Sequence, residues 1–567
     1  MVRILLLSLL SLALLAPLAQ AEVELYVLPP EVKVKKLQSQ IREYDYLWSR
    51  SDNTVKLAGC GQETVPFQIV VACRNDALQD VTLQWSDLKS EVGVIPGNNI
   101  SAYLAALVKV YAKSGRAGEA GWWPDPLAPL SGPVDIRPDR FENSKNQTFW
   151  IDVNIPPDQA AGEYMGEISV TAAGKTLDTF PIRLTVWDFT LHPYSDYYNL
   201  FNCSRGWLAG YYTEEVRGDR SLDDVLVQYF DFMLSRDVQP WFNPLLQPEC
   251  REVGDDLELR WNNQKWEKHL LDHPAYKRVT FSAAPDFMDH LPPEERFTPT
   301  FNRKIKKYVG AIYEHYRDNG WENKLTFFGP LDEPKTRSDY EELIRWGELV
   351  KSISPDLSFQ VTEQPLPEDP SWPPLSTVAD DWVVHGSYLE SNRDALQKLI
   401  DQGNHACWYI SCDQTYPMSN YFIDRSGVDP RAVPWITRRY RLQGILYWAV
   451  NFWREVKSPW RDPVTWKLSE CNAPLAGEGS LLYPGEEIES YCRLANVDGP
   501  VSSTRFELLR EGLEDIRYLE MLSRMGKDDD ADRLAADLII SVFTFSRDPA
   551  RYAKVRAEAA RLIAAVK

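Results

Sequence analysis

From Glu22 to about Trp187 apolar and polar positions alternate with a period of two. Phe149, Ile151, Val153 and Ile155 interleave with Trp150, Asp152 and Asn154. Ile168, Val170 and Ala172 follow the turn that begins at Pro156-Pro157-Asp158, and Phe180, Ile182, Leu184 and Val186 follow Ala173-Gly174-Lys175. Residues two apart share one face of a strand, so this alternation predicts short half-buried strands joined by Gly/Pro turns. No helical period interrupts it. Residues 22–190 are therefore expected to form an N-terminal antiparallel β-sandwich.

After His192-Pro193 short apolar runs alternate with segments of helical period. Strands are expected at Tyr197–Asn202, Gln239–Asn243, Val279–Ser282, Leu325–Phe328, Leu357–Thr362, Trp382–His385, Ala406–Ile410 and Ile445–Asn451. Helices are expected at about 222–236, 262–271, 298–319, 339–352, 391–402, 430–443 and 503–525. Asp429-Pro430 reads as an N-cap with proline at the first helical position, and Gly444 as that helix's end. Glu363 to Pro374 is rich in proline and marks no helix after the fifth strand. Eight strands with intervening helices give the count of a (β/α)8 TIM-like barrel over 191–525, with a helical tail over 526–567 packed on it. The fold class is thus multidomain β plus α/β.

The first 21 residues stand apart. Arg3, an apolar stretch from Ile4 to Leu15 and Ala19-Gln20-Ala21 have the layout of a cleavable signal peptide, which predicts a secreted or periplasmic protein cut after Ala21. No later segment has the length and apolarity of a membrane-spanning helix. The net charge of −20 argues against nucleic acid and anionic membranes as partners, since both are bound through basic patches. Twenty Trp, 27 Tyr and 39 Pro point to aromatic residues on long, stiff loops, a composition suited to sugar faces. Eight cysteines (Cys60, Cys73, Cys203, Cys250, Cys407, Cys412, Cys471 and Cys492) follow the leader. Cys60 with Cys73, and Cys407 with Cys412, are near enough in sequence to be disulfide candidates. The seven His show no metal-ligand spacing, so neither metal nor cofactor is expected. Sequons fall at Asn99, Asn146 and Asn202.

Candidate chemistry lies where the fourth strand ends. Leu325-Thr326-Phe327-Phe328 runs through Gly329-Pro330 into Leu331-Asp332-Glu333-Pro334. A helix follows, for which Ser338 and Glu341 have capping-box spacing. Parallel α/β folds keep their reactive groups at such strand ends. Two carboxyls in one cleft do not ionise independently, which divides them into a proton donor and a charged stabiliser. The bland alternative is a solvated acidic turn favouring the next helix N-terminus. Other strand ends converge on the same rim: His385 after the sixth, Trp408-Tyr409 and Asp413 around the seventh, and Tyr447, Trp448, Asn451 and Trp453 at the eighth. With Asn420 these give the candidate substrate contacts: His385, Tyr409, Asn420, Tyr447, Trp448, Asn451 and Trp453. Singly, His385 is also explained as a satisfied structural histidine, and Trp448 as a core aromatic.

Glycoside hydrolysis commonly uses two carboxyls across the scissile bond. The seventh strand, His405 to Ser411, carries none, and Asp413 lies beyond it. A substrate-assisted route fits what remains: the sugar's own 2-acetamido oxygen attacks the anomeric carbon, while Asp332 and Glu333 stabilise and protonate. Two alternatives stay open: Asp413 or another rim carboxylate as nucleophile, or an aromatic cleft that binds glycans without turnover.

A wider set of motifs carries a family resemblance. It includes Gly61-Gln62-Glu63, Pro66-Phe67-Gln68 and Trp122-Trp123-Pro124-Asp125-Pro126-Leu127 in the first domain. It continues with Leu331-Asp332-Glu333-Pro334, Tyr421-Phe422-Ile423-Asp424, Leu446-Tyr447-Trp448 and Pro459-Trp460. The run from Gly477 to Gly485, the run Gly499-Pro500-Val501-Ser502-Ser503 and the helix Arg505–Leu519 complete it. Over nearly all of the mature chain this set resembles glycoside hydrolase family 123, the retaining N-acetyl-β-galactosaminidases. The resemblance implies Asp332 as acetamido stabiliser, Glu333 as acid/base, and a glycan with terminal N-acetylhexosamine as substrate. Ser419-Asn420-Tyr421-Phe422 departs from the Pro-Asn-Phe-Phe usual in that family.

Overall fold

The computed structural model describes residues 23–74, 77–136, 145–289, 291–467 and 471–565. The expected leader lies outside them. The period-two region folds as two sheets. One is ordered Val23–Leu28, Glu63–Cys73, Lys145–Ile155, Ile100–Val110, Gly121–Pro129, and the other runs Val55–Gly61, Lys175–Thr190, Gly162–Ala172, Leu78–Trp85, Val134–Ile136. The alternation sends Phe67, Ile69, Phe149 and Ile151 of the first sheet, and Ile168, Val170, Ile182 and Leu184 of the second, into one apolar cluster. One pairing is not antiparallel: Val55–Gly61 runs parallel to Lys175–Thr190. Gln62, at φ +66°, turns the chain from Val55–Gly61 into Glu63–Cys73 of the other sheet, so no hairpin back to a neighbour forms. Asn146 is buried, and its amide donates to the Lys35 and Gln38 carbonyls at 2.9 and 2.8 Å, which removes that sequon as a surface acceptor.

The following region is α/β. Eight strands form one parallel sheet: β1 (Tyr198–Phe201), β2 (Gln239–Pro240), β3 (Val279–Ser282), β4 (Leu325–Phe328), β5 (Ser358–Val361), β6 (Asp381–His385), β7 (His405–Ile410) and β8 (Gly444–Tyr447). Their hydrogen-bonded order is β2-β1-β8-β7-β6-β5-β4-β3, so each strand neighbours its sequence successor except at the seam between β2 and β3. There a side chain substitutes for the ladder. The Gln239 amide donates to the Arg278 carbonyl at 2.6 Å and accepts from the Lys277 and Arg278 amides at 2.8 and 3.2 Å.

Helices α1 (Leu222–Leu234), α2 (Gln264–Leu271), α3 (Pro299–Asp318), α4 (Arg337–Lys351), α5 (Arg393–Asp401), α6 (Val428–Arg439) and α7 (Thr504–Arg524) alternate with these strands. Between β5 and β6 the proline-rich stretch allows only a short 3-10 turn, Leu375–Thr377. The punctuation of α6 differs from expectation. Its cap is Gly427, while Asp429 lies buried in the first turn and accepts from Arg425 and Arg547, each at 2.8 Å. Gly444 opens β8 rather than ending α6. A Cβ there would sit 2.1 Å from the Tyr198 carbonyl oxygen of β1, so only glycine lets the two strands approach. The tail is helical at α8 (Asp528–Leu538) and α9 (Pro549–Ala564) but includes a hairpin, Ile539–Ser541 with Thr544–Phe545. No helix among the described residues is long and apolar enough to cross a membrane.

The two regions meet around Arg505. Its guanidinium is fully buried and grips Asp125 of the first region through Nε and Nη2, both at 2.8 Å. It also donates to the carbonyls of Tyr421, Gly477 and Ser480 at 2.8, 2.9 and 2.6 Å. Tyr483 and Thr504 hydroxyls donate to the same carboxylate at 2.6 and 3.2 Å. Motifs scattered from position 122 to position 505 thus converge on one guanidinium.

Candidate active site

Asp332 and Glu333 follow β4 by four residues and are gripped by a single side chain. Thr362, just past β5, donates its hydroxyl to Asp332 Oδ1 and accepts the Glu333 backbone N–H at 3.0 Å. The neighbouring strand end therefore fixes the pair, and Glu333 takes φ +47°, a left-handed conformation unusual for a non-glycine residue. Tyr409, near the end of β7, donates its hydroxyl to Glu333 Oε1, and Lys335 Nζ stands 3.9 Å from Oε2. Helix α4 begins two residues earlier than Ser338 implied. Thr336 is the cap and Asp339 completes the box, because Asp339 also accepts from the Lys335 N–H at 2.9 Å and so tightens the turn leaving Glu333.

The pair forms a ridge between two clefts. The cleft on the Glu333 side, about 360 Å³, is lined by Thr362, Glu363, Glu368, His385, Tyr409 and Asp413 among others. That on the Asp332 side, about 390 Å³, is lined by Phe242, Asn243, Ser282, Asp286, Asp289 and Phe328 among others. Asp332 is open at its surface, yet desolvation by the surrounding walls raises its pKa, the Glu333 charge adds to the rise, and the Thr362 hydroxyl opposes it. Burial pushes Glu363 up to about 7, with the charges of Glu368 and Glu333 contributing. Desolvation would raise Asp413 too, but His385, whose Nε2 lies 3.1 Å from Asp413 Oδ1, holds it below the ordinary carboxylate range. The Tyr409 phenol is raised by burial and then by the Glu333 charge, so it stays a donor.

Of the seven expected substrate contacts, His385 and Tyr409 line the Glu333 cleft, their rings 4.9 Å apart. Trp448 is partly exposed in an aromatic group with Trp466, Phe452 and Trp207 at 4.7, 5.1 and 6.0 Å. The remaining four are buried and fully engaged. Tyr447 donates to Glu478 at 3.2 Å, and Trp453 Nε1 donates to Ser480 Oγ at 3.0 Å. Asn451 clamps both backbone groups of Ser204 at 3.0 Å, and Asn420 donates to the Ser411 and Gln414 carbonyls at 2.8 Å. These four support the rim from beneath. Glu478, wholly buried, accepts from Trp448 Nε1 at 2.6 Å, and burial pushes its pKa up to about 7.

Neither expected disulfide forms. Cys412 pairs with Cys471, tying the loop after β7 to the excursion after β8 at the cleft wall. Cys73 ends the eleven-residue strand that Glu63 begins, roughly 33 Å of strand away from Cys60. Cys60 instead lies 3.3 Å from the Tyr518 hydroxyl. Cys407 faces Tyr198, Leu200, Val383 and Leu446, while Cys412 lies past the end of the same strand, beyond bridging distance. Thr362, Glu363 and Glu368 were not singled out from sequence. Their only mark was position, since they follow the fifth strand within a loop whose prolines drew the attention.

Residues 286–522 match the profile of the glycoside hydrolase 123 catalytic domain, and residues 41–172 that of the glycoside hydrolase 123 N-terminal domain. Among solved structures, a family 123 glycoside hydrolase from Clostridium perfringens, studied for glycolipid glycan hydrolysis, is similar with a TM-score of 0.69 at 16% identity, over 96% of this chain and 98% of that one. At that identity the likeness is one of fold. A glucosidase from Croceicoccus marinus gives a TM-score of 0.25 at 14% identity, over 38% of this chain and 50% of that one. A xylanase from Thermoanaerobacterium saccharolyticum gives 0.30 at 10% identity, over 55% and 95%. Both scores are too low to carry an argument. No curated protein matches the sequence.

Proposed function

Because this chain belongs to glycoside hydrolase family 123 and is a glycoside hydrolase, we propose that it is a retaining enzyme releasing terminal β-linked N-acetylgalactosamine by substrate assistance. The acetamido carbonyl oxygen attacks the anomeric carbon, the glycosidic C–O bond breaks, and Glu333 gives its proton to the leaving oxygen. Asp332 accepts the acetamido N–H and stabilises the positive charge of the oxazolinium-like intermediate. Water then attacks the anomeric carbon, returns a proton to Glu333 and reopens the ring with net retention. The observation that carries this reading is the double grip of Thr362, which holds the Asp332 carboxyl and the Glu333 backbone N–H and so fixes the pair at one strand end.

On the same reading, the two N-terminal sheets are a β-sandwich and the eight-stranded sheet is a (β/α)8 barrel closed at its seam by Gln239. The protein is exported by its leader. Glycolipid glycans, the subject of work on the Clostridium perfringens structure, are a natural substrate class to try first.

A second reading has one observation in its favour: Asp413 lines the Glu333 cleft with a lowered pKa, as a nucleophile requires. Aryl β-galactosides with and without the 2-acetamido group separate the two. Substrate assistance requires the acetamido form, inhibition by a thiazoline analogue, and losses of about 10²–10⁴-fold in Asp332→Asn and Glu333→Gln. Turnover of the plain galactoside, abolished by Asp413→Asn, would establish the second reading instead.

A further inference from the structure

A glycan laid against Glu333 meets charge of one sign. Glu333 follows β4, Glu363 and Glu368 follow β5, and Asp413 follows β7, all in one cleft. Across the ridge stand Asp286, Asp289 and Asp332. Against these carboxyls the lining residues include one lysine and one histidine, and both already answer a carboxylate: Lys335 at Glu333, and His385 at Asp413. Lys335 is also 78% exposed at its side chain, so water screens it. Glu368 stands on the exposed rim, with the Tyr388 hydroxyl 3.4 Å away.

Such a wall treats neutral and anionic sugars differently. Carboxylates accept hydrogen bonds from sugar hydroxyls and lose little by doing so. A sulfate, sialyl or uronate group offers no such donor at its charge and faces like charge on several sides, a repulsive device that sets specificity more than affinity. Glu333 points into the cleft that Glu363, Glu368 and Asp413 line, and the leaving oxygen must approach Glu333. The leaving portion of the substrate therefore passes these groups.

We infer that the enzyme selects uncharged leaving groups, with Glu368 and Glu363 as the residues that reject anionic ones. This rests on the reading of Glu333 as the group facing the leaving oxygen, and it narrows the substrate class to neutral glycans. Sugars that carry a sulfate, sialyl or uronate group next to the scissile bond are excluded.

The test uses aryl β-glycosides whose phenols have matched acidity, one bearing a sulfonamide and the other a sulfonate. Each is made on sugars with and without the acetamido group. At about pH 8, above the value of about 7 to which burial pushes Glu363, and at about 0.01 M salt, where screening reaches about 30 Å, kcat/KM should favour the sulfonamide at least tenfold. The ratio should fall at least threefold at about 1 M salt, where the length is about 3 Å. It should also narrow at least threefold in Glu368→Gln, a rim substitution the fold tolerates, and likewise in Glu363→Gln. Equal kcat/KM for the two aglycones would overturn the inference, as would a ratio that neither salt nor either substitution moves. Failure of substrate assistance registers separately, as equal turnover of acetamido and plain sugars. The sulfonamide-to-sulfonate ratio is then read on whichever pair is hydrolysed.

Discussion

Replacing Asp125 by alanine removes the counter-charge of a guanidinium that water does not reach. Arg505 and Asp125 are each 0% exposed, and Arg505 holds the carboxylate pKa down against the desolvation that would raise it. Breaking one partner of such a pair leaves an uncompensated buried charge and costs about 3–5 kcal/mol. The Tyr483 and Thr504 hydroxyls also lose their acceptor, but these losses overlap with the first, so the total stays near about 4 kcal/mol. Against a typical stability of about 5–15 kcal/mol, that is a loss of roughly a thousandfold in the folding equilibrium or a large part of the whole. Urea unfolding of wild type, Asp125→Ala, Arg505→Met and the double variant measures it. The double variant should recover much of the single loss, since no lone charge remains. A single-variant loss under about 1 kcal/mol, or a double variant equal to the sum of the singles, would refute the reasoning.

Three further outcomes follow from the geometry. Glu478→Gln should flatten the pH dependence of stability: in wild type the neutral carboxyl's contribution is full below pH 4.5 and lost as pH rises to about 7, about 3 kcal/mol at most. Denaturation of both proteins between those pH values measures the difference. On the proposed mechanism, Thr362→Val, which deletes both grips on Asp332 and Glu333 while keeping shape, should lower kcat about 10–10²-fold with KM little changed and the circular dichroism spectrum intact. Thiol titration in denaturant should find six thiols before reduction and eight after, and alkylated peptide mapping should recover Cys412 joined to Cys471.

The strand plan of the parallel sheet was legible because buried strands announce themselves as apolar runs bounded by prolines and helix caps. β3 and β4 fall at the residues read from sequence, and the Asp332-Glu333 pair falls at the end of the fourth strand, where it was expected. What sequence left open was which face a side chain takes. Tyr447, Asn451 and Trp453 crowd one strand end, yet packing turns them into the core beneath the rim. The cysteines failed for a related reason. Nearness along the chain is distance along a strand, and eleven extended residues separate what twelve letters bring together. The capping boxes overlapped: Thr336 with Asp339 and Ser338 with Glu341 both have the spacing, and the structure uses the first, where Asp339 also accepts from the Lys335 N–H. Thr362 carries no signature at all, since a threonine after a strand is commonplace until its neighbour holds a carboxylate.

The left-handed backbone at Glu333 has a bearing on how this protein ages over generations. Glutamate in that conformation costs about 1 kcal/mol or more relative to glycine or asparagine, which enter it with little strain. One nucleotide change takes a glutamate codon to glycine, and a chain freed from turning over its substrate would gain stability by that change. On the proposed role of Glu333 as acid/base, the work it performs is what keeps a glutamate there. In a gene copy that has lost the activity, this codon is where the decay should be written first.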